Sequence, residues 1–504
     1  MLFKSLSAEA LSAVVASPVL IPLVLSSLIL LALSIRAAYN VWFHPLRAYP
    51  GPKLWAATQL VWVYYRVTGQ LVWKSIDLHK KYGSVVRVAP DHLSYTTETA
   101  WKFIYGLRAV EMEKNNQAGF SRPGVEGAHA ILSADKANHT RLRRILAPAL
   151  SEKSIKEYDT TIMHYVDLLV EKLTRLCGKD SVDLNKYFEM TTLDLISDVV
   201  CSRPEGALER EDGGTWLDIL ARSIQSQVLT QALETYGLVP WRDYLLPKSK
   251  TRAPFQNFQV ISSKFEARLA AQEDTRDVLS YMIRDDKAMS PVEMRLNAAT
   301  IIGAGTGTTA TWLSTSIHSL ATNPEAYEVL KREIRDTFFS EVDITSDRAS
   351  KLPYLAAVMQ ESLRIHCPSP SSAARRVPEG GAVIDGRSVP AGTTVGVHQH
   401  AAYHSPENFY SPDHFLPERW LQTARDKSSP FSGDRLDVFH PFSYGPRTCL
   451  GIRLTTAETQ LILAKLVWHF DIEVLAESQN WQDAQKGTVA WHRTPLKCRL
   501  RLVR

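Results

Sequence analysis

One cysteine sits in a stretch whose neighbours each restrict what the chain around it can do: FSYGPRTCLG, Phe442 to Gly451. Gly445 and Gly451 permit tight turns and close backbone approach, Arg447 supplies a fixed cation, and Phe442 can cover a flat apolar ligand. From Leu450 onward the spacing predicts a helix, with Leu454, Leu461, Leu463 and Leu466 apolar and no internal Gly or Pro in it after Gly451. A cysteine just ahead of a helix N-terminus has its thiolate favoured by the dipole and by free N–H groups. An isolated cysteine in a glycine-containing turn is ordinarily a packing residue. The spacing F-x-x-G-x-R-x-C-x-G sets Cys449 apart from that ordinary case.

The chain is long enough, at 504 residues with 45% apolar composition, to bury a sizeable core. A net charge of +5 is too mild and too dispersed for a nucleic-acid partner and fits a basic docking face or a membrane neighbour. The five cysteines, at 177, 201, 367, 449 and 498, are odd in number, scattered, and lack C-x-x-C spacing, which argues against a disulfide framework or a zinc site. From Ala10 to Ile35 no residue is charged, a run long enough to cross a bilayer. Pro18 and Pro22 interrupt its first part, and Ala32, Leu33 and Ser34 would also suit signal-peptide cleavage. The length of the run and the following Arg36, Arg47 and Lys53 favour an anchor with the downstream chain in the cytosol. Tyr39, Trp42 and Phe43 read as interfacial aromatics. Residues 44–53, HPLRAYPGPK, cannot continue a helix and read as a hinge. The expected organisation is an anchor segment over 1–36, a linker over 37–53 and one folded domain over 54–504.

Ser84 to Tyr95 alternates like a hairpin turning at Pro90 and Asp91, and residues 105–133, with Gly119, Pro123, Gly124 and Gly127, read as loop. A helical stretch then carries His139 and Arg143 four apart on one face. Residues 155–285 are mostly amphipathic helix without a chemical motif. Ser290, Pro291 and Glu293 form a capping box that opens a long helix. Gly303, Gly305 and Gly307 inside it each cost about 1 kcal/mol relative to Ala, so a close planar ligand is expected to compensate. Further on, Glu361 and Arg364 lie three apart and FLPERW contributes Arg419. The segment between them alternates in strand fashion, with turns at Gly380 and Gly381, Asp385 and Gly386, and Ala391 and Gly392. His398 and His400 share a strand face, and packing is favoured over metal binding because no third ligand converges. Gly487 to Val489 forms a turn near the C-terminus.

Four of these stretches, in this order, resemble the cytochrome P450 family: His139 to Arg143, Ala304 to Thr309, Glu361 to Arg364 with Arg419, and Phe442 to Gly451. The resemblance covers essentially the whole chain and implies a mainly α fold with minor β, the cytochrome P450 fold, preceded by an N-terminal transmembrane helix. It implies that Cys449 ligates the iron of haem b, with Phe442, Arg447 and Gly451 around the cofactor. Arg143 matches the family's W-x-x-x-R arginine, while His139 stands where Trp is usual. Arg375 falls where a propionate-binding arginine is expected, and the adjacent Arg376 is the alternative. Glu361, Arg364 and Arg419 would form a structural network, and Ser369 to Ala374 would line the substrate pocket. In the helix motif Thr308, with Thr309 beside it, would hold water or peroxide, but Gly307 replaces the usual acid, which leaves the proton source open. The implied activity is a membrane-anchored haem-thiolate monooxygenase of filamentous-fungal type. It would oxidise a lipophilic small molecule in secondary metabolism with O2 and electrons from NADPH through NADPH–cytochrome P450 reductase. The chain would be single-pass in the endoplasmic reticulum membrane with a cytosolic catalytic domain and no nucleic-acid partner. The alternatives are a P450-fold enzyme of isomerising, dehydrating or peroxide-driven chemistry and a non-catalytic haem binder.

Overall fold

A computed structural model describes residues 20–107, 111–115, 127–212, 214–271, 275–284, 289–492 and 494–503. Pro18 with the first part of the uncharged run, and Gly119, Pro123 and Gly124 of the expected loop, lie outside the described residues. The chain is mainly helical. Its principal helices, in chain order, are α1 Leu20–Trp42, α2 Lys136–Leu146, α3 Asp159–Thr174, α4 Leu184–Cys201, α5 Gly214–Thr235, α6 Ala253–Ala270, α7 Pro291–Thr322, α8 Pro353–Ile365 and α9 Ile452–His469.

Helix α1 has a mean hydropathy of 2.1, with none of its apolar window buried over Ile21–Trp42. At 1.5 Å per residue it reaches roughly 34 Å, enough for a hydrocarbon core of about 30 Å. It runs through the first residues of the expected linker and ends on exposed Tyr39, Trp42 and Phe43. The proline-rich segment after it is pinned to the body. Arg87, almost fully buried, donates from Nη1 to the Asn40 carbonyl at 3.0 Å, and Asn40 Nδ2 donates to the Ala57 carbonyl at 2.9 Å. The Arg87 N–H donates to the Pro50 carbonyl at 2.7 Å. Prolines lack donors but keep strong carbonyl acceptors, so the segment lies along the edge of the sheet instead of swinging freely.

The predicted hairpin forms as β1 Val85–Ala89 and β2 His92–Tyr95, antiparallel. With β3 Val182–Asp183, β4 Arg375–Arg376, β5 Ala382–Ile384, β6 Arg387–Val389, β7 Thr394–Val397, β8 Phe470–Val474 and β9 Lys497–Leu502 it makes three small sheets, ordered β1-β2-β7-β4, β3-β9-β8 and β5-β6. The turns between β5, β6 and β7 fall on positive-φ residues Asp385, Gly386 and Gly392, where the sequence placed them.

The capping box of α7 closes as expected: Ser290 Oγ accepts from Glu293 N–H at 3.2 Å, and Glu293 Oε2 accepts from Ser290 N–H at 3.1 Å. Two of its glycines meet neighbouring helices. A Cβ on Gly305 would lie 2.9 Å from Ile196 Cγ1 on α4, and one on Gly303 would lie 3.3 Å from Leu220 Cδ1 on α5. These two glycines let helices approach each other, so helix packing compensates their propensity cost. At Gly307 a Cβ would meet nothing within 4 Å.

Glu361 and Arg364 on α8 form a fully buried cluster with Arg419, the network that the resemblance implied. Glu361 Oε1 accepts from Arg364 Nη2 at 2.7 Å and Arg419 Nε at 3.1 Å, and Oε2 accepts from Arg364 Nε and Trp420 Nε1 at 2.9 and 2.8 Å. All three ionic side chains have no exposed surface. Burial pushes the Glu361 carboxyl up, but Arg364 and Arg419 outweigh it and hold it below the ordinary value. A depressed folded value means the contribution is complete above the unfolded glutamate value and fades only as pH falls through the lower folded one. Glu361→Ala would leave two buried guanidinium groups facing each other. The expected loss is about 3–5 kcal/mol, read as a lowered urea midpoint with the slope unchanged.

Candidate active site

A cavity of about 490 Å³ opens between α7, the Phe442–Gly451 loop, the β1-β2-β7-β4 sheet and the Gly487–Val489 turn. Ser369, Ser371, Ser372, Ala373 and Ala374 line it, as the resemblance implied, and Gly487, Thr488 and Val489 of the C-terminal turn line it too. His398 and His400 leave the strand: His398 caps the short helix Gln399–Tyr403 and His400 lies within it. Among the described residues no group of three or more His, Cys, Asp or Glu could hold a metal ion.

The cysteine loop is built from close backbone contacts. Gly445 has φ +76°, and a Cβ there would sit 2.1 Å from the Tyr105 carbonyl oxygen, so no other residue fits. Ser443 is held at φ +68°, a conformation that costs a non-glycine residue roughly 1–3 kcal/mol. The Cys449 N–H donates to the Phe442 carbonyl at 2.9 Å, and the Phe442 ring meets Trp312 of α7 edge-on at 5.8 Å. Gly451 is the N-cap of α9 at φ −82°, with space for a Cβ 4.0 Å from Cys449 Sγ, so the turn itself does not demand glycine there. Cys449 is exposed, and it lines the cavity. Burial by the surrounding protein pushes its thiol up; the N–H groups of Gly451 and Ile452 and the Arg143 guanidinium oppose this without cancelling it. Helix-terminus stabilisation therefore operates but is the smaller effect, because desolvation acts on the whole charge.

Around this sulfur stands a rim of basic groups: Arg143, Arg375, Arg447, His139 and Lys114 all line the cavity. Arg143 Nη1 donates to the Thr448 carbonyl at 2.7 Å, tying α2 to the cysteine loop. Arg375 is 3% exposed on β4 while Arg376 faces outward, because successive strand residues point to opposite faces. Arg447 pairs with Glu111 at 2.5 Å and donates to the Ala134 carbonyl at 2.9 Å. Burial, then Arg447, Lys114, Arg143 and Arg375, push His139 down to about 3, so it is a neutral imidazole at this rim. Lys114 is pushed down to about 7 by burial and then by Arg375 and Arg447, with Glu111 opposing. Lys114 carries no sequence signal: it follows two acidic residues and reaches the rim through a single bridge to Arg375.

The second residue missing from the sequence reading is Glu458 on α9. Its Oε1 lies 3.0 Å from Thr309 Oγ1, which is 2.7 Å from Thr455 Oγ1, and Glu458, Thr309 and Thr455 all line the cavity. Thr308 beside them donates to the Ala304 carbonyl at 2.6 Å. Burial pushes the Glu458 carboxyl up to about 8, only partly offset by the two threonine hydroxyls. Glu458 lies nine positions after Cys449, and the i, i+3 spacing of Thr455 and Glu458 on one helix face was the available signal.

Residues 49–500 match the family profile described as Cytochrome P450. The chain belongs to the cytochrome P450 family. Among its curated relatives, "Cytochrome P450 monooxygenase astJ" of Aspergillus oryzae (strain ATCC 42149 / RIB 40) is 36% identical over 471 residues, 92% of this chain and 94% of that protein. "Averantin hydroxylase" of Dothistroma septosporum is 37% identical over 469 residues, 92% of this chain and 88% of the relative. "Cytochrome P450 monooxygenase stcF" of Emericella nidulans is 37% identical over 482 residues, 94% and 98% of the two chains. As a P450 monooxygenase it uses haem and O2, and membership implies a redox partner and a lipophilic substrate.

The buried carboxyl of this P450 has a thermodynamic signature. A value raised in the folded state binds a proton that the unfolded chain has already released, so stability falls as pH rises from about 4.5 toward about 8. In Glu458→Gln this component of the slope is expected to vanish, so thermal midpoints of variant and parent, measured across that range, should diverge with rising pH in favour of the variant.

Proposed function

We propose that this P450 is a membrane-anchored haem-thiolate monooxygenase that hydroxylates or otherwise oxidises a lipophilic small molecule in fungal secondary metabolism, with Cys449 as the iron ligand. The observation that carries the reading is a cysteine sulfur facing a cavity whose rim holds five basic residues, of which Arg447 pairs with Glu111. That donor set fits a haem: a soft sulfur for the iron, and cations with a neutral imidazole donor for two propionates. When bound, haem supplies the redox chemistry of oxygen activation, favoured by thiolate electron donation.

The residues divide the remaining work. Arg143 and Arg375 offer guanidinium forks to the propionates, Lys114 and the neutral His139 add donors, and Arg447 reaches the same rim while holding Glu111. Arg143 also fixes the Thr448 carbonyl one residue before the ligand. Glu458 keeps a proton at its carboxyl near neutral pH and stands within hydrogen-bond distance of Thr309. It therefore provides, from α9, the acid that Gly307 does not provide from α7. The apolar walls and the proximity of Thr308 to Ala304 leave space for a nonpolar substrate beside these hydroxyls. Electrons come from NADPH through a membrane-bound reductase; the exposed apolar α1 supports membrane anchoring, in our reading at the endoplasmic reticulum with the body in the cytosol.

The ligand assignment is tested by the carbonyl complex of the reduced protein. A red-shifted Soret band is expected in the parent and its loss in Cys449→Ala; persistence of the band in the variant would overturn the assignment. For proton supply, Glu458→Gln is expected to lower product formed per NADPH consumed severalfold, the difference appearing as hydrogen peroxide. Unchanged coupling would remove Glu458 from the reaction. Product formation that needs neither NADPH nor reductase would favour the isomerising or peroxide-driven alternative.

A further inference from the structure

At its β1-β2 end the cavity carries a charge that none of the described residues answers. Arg66, on the helix Leu60–Val67, lines the cavity with Trp62, Val72, Val88 and His92. Its Nη2 donates to Gln231 Oε1, its guanidinium lies 4.9 Å from the Trp62 ring centroid, and its Nε has no partner. Among the described residues no carboxylate pairs with it: burial lowers the guanidinium to about 10 with nothing pulling it back. The contrast with buried arginines outside the cavity is plain. Arg364 and Arg419 share Glu361, Arg268 pairs with Asp277 at 2.7 Å, and Arg87 spends its donors on the Pro90 and Asn40 carbonyls. A half-buried cation without a counter-charge is costly, and five N–H donors in a fixed fork suit a planar anion.

Its neighbours are equally incomplete. Gln231, 5% exposed, uses Oε1 on Arg66 and leaves Nε2 without a partner. His92 keeps an unpartnered Nδ1, and burial followed by Arg66 pushes it to about 3, so it remains a neutral ring. These groups are separate from the basic rim at Cys449. His92 on β2 and Arg376 on β4 flank Thr394 of β7 from opposite sides, so two strand spacings, roughly 10 Å, lie between β2 and the strand of Arg375.

We propose that Arg66, oriented by Gln231 and bordered by His92, binds the ionised group of the substrate, and that the substrate is a lipophilic carboxylic acid. Its carboxylate lies at the β1-β2 end and its apolar body extends along the cavity toward Cys449. The enzyme then oxidises carbon remote from the acid. This orientation rests on the reading of Cys449 as the iron ligand, whereas the anion subsite does not.

The test uses the full-length, haem-loaded protein and a matched pair of probes, 6-phenylhexanoate and 6-phenylhexanamide, whose binding is followed by equilibrium dialysis. The parent is expected to bind the acid about tenfold more tightly than the amide, a charge-assisted bond's worth of selectivity. In Arg66→Gln the preference should fall to within about twofold with amide affinity unchanged. Gln231→Leu, which frees the guanidinium without removing it, should reduce the preference severalfold. Equal binding of acid and amide by the parent, or a preference that survives in Arg66→Gln, would sink the proposal. Carbonyl spectra of the same samples separate the two readings: an absent red-shifted band with an Arg66-dependent acid preference leaves the subsite standing and removes the haem-thiolate assignment. A normal band without acid preference does the reverse.

Discussion

Glu361 sits without exposed surface between two guanidinium groups, and the carbonyls those groups bind lie on the segment that leads to the cysteine loop. Arg364 donates from Nη1 to the Tyr403 and Pro412 carbonyls at 2.8 and 2.6 Å, and from Nη2 to the His414 carbonyl at 2.9 Å. Arg419 reaches Asp434 at 2.5 Å and the Tyr410 carbonyl at 3.0 Å. Tyr403 in turn accepts from the His440 N–H at 2.9 Å, two residues before Phe442. One carboxylate thus sets the position of a loop with little regular structure of its own. The arrangement is all-or-none in character, because each charge in it is buried and tolerable only while its partner is present.

The cavity shows the same physics with the sign of completion reversed. Its charged groups are held where the protein does not fully neutralise them: the basic rim at Arg143, Arg375, Arg447 and Lys114, and Arg66 at the β1-β2 end. Desolvation lowers Lys114 and Arg66 and raises Glu458, each toward its neutral form. Structural ion clusters in this fold are closed circuits, whereas the cavity groups have donors or protons to spare. That difference separates residues that hold the fold from residues that meet a ligand.

The glycines of α7 show a motif whose packing partners the sequence does not name. Three glycines in five residues were legible as a place where something comes close, and the helix boundaries were legible from Ser290, Pro291 and Glu293. What comes close to Gly303 and Gly305 is α5 and α4, and no local pattern names the partner of a packed helix face. Glu458 stayed hidden for a related reason: its raised carboxyl comes from burial against Thr309 of another helix, which no spacing within α9 encodes. Likewise the linker's prolines marked an interruption, but whether it swings or is pinned depended on Arg87, distant in sequence.

By itself the sequence determined the uncharged N-terminal run, the order of helices and hairpins, the cysteine turn and the family that these motifs share. These follow from local rules, since turns, caps and periodicity depend on residues within a few positions of one another. Tertiary structure alone decided that Arg375 faces inward and Arg376 outward, that Lys114 joins the rim, that Glu458 stands beside Thr309, and that Arg66 has no counter-charge among the described residues. The physical reason is that desolvation and pairing are properties of three-dimensional surroundings: a guanidinium or carboxyl in the sequence has no dielectric and no partner until the chain has packed around it.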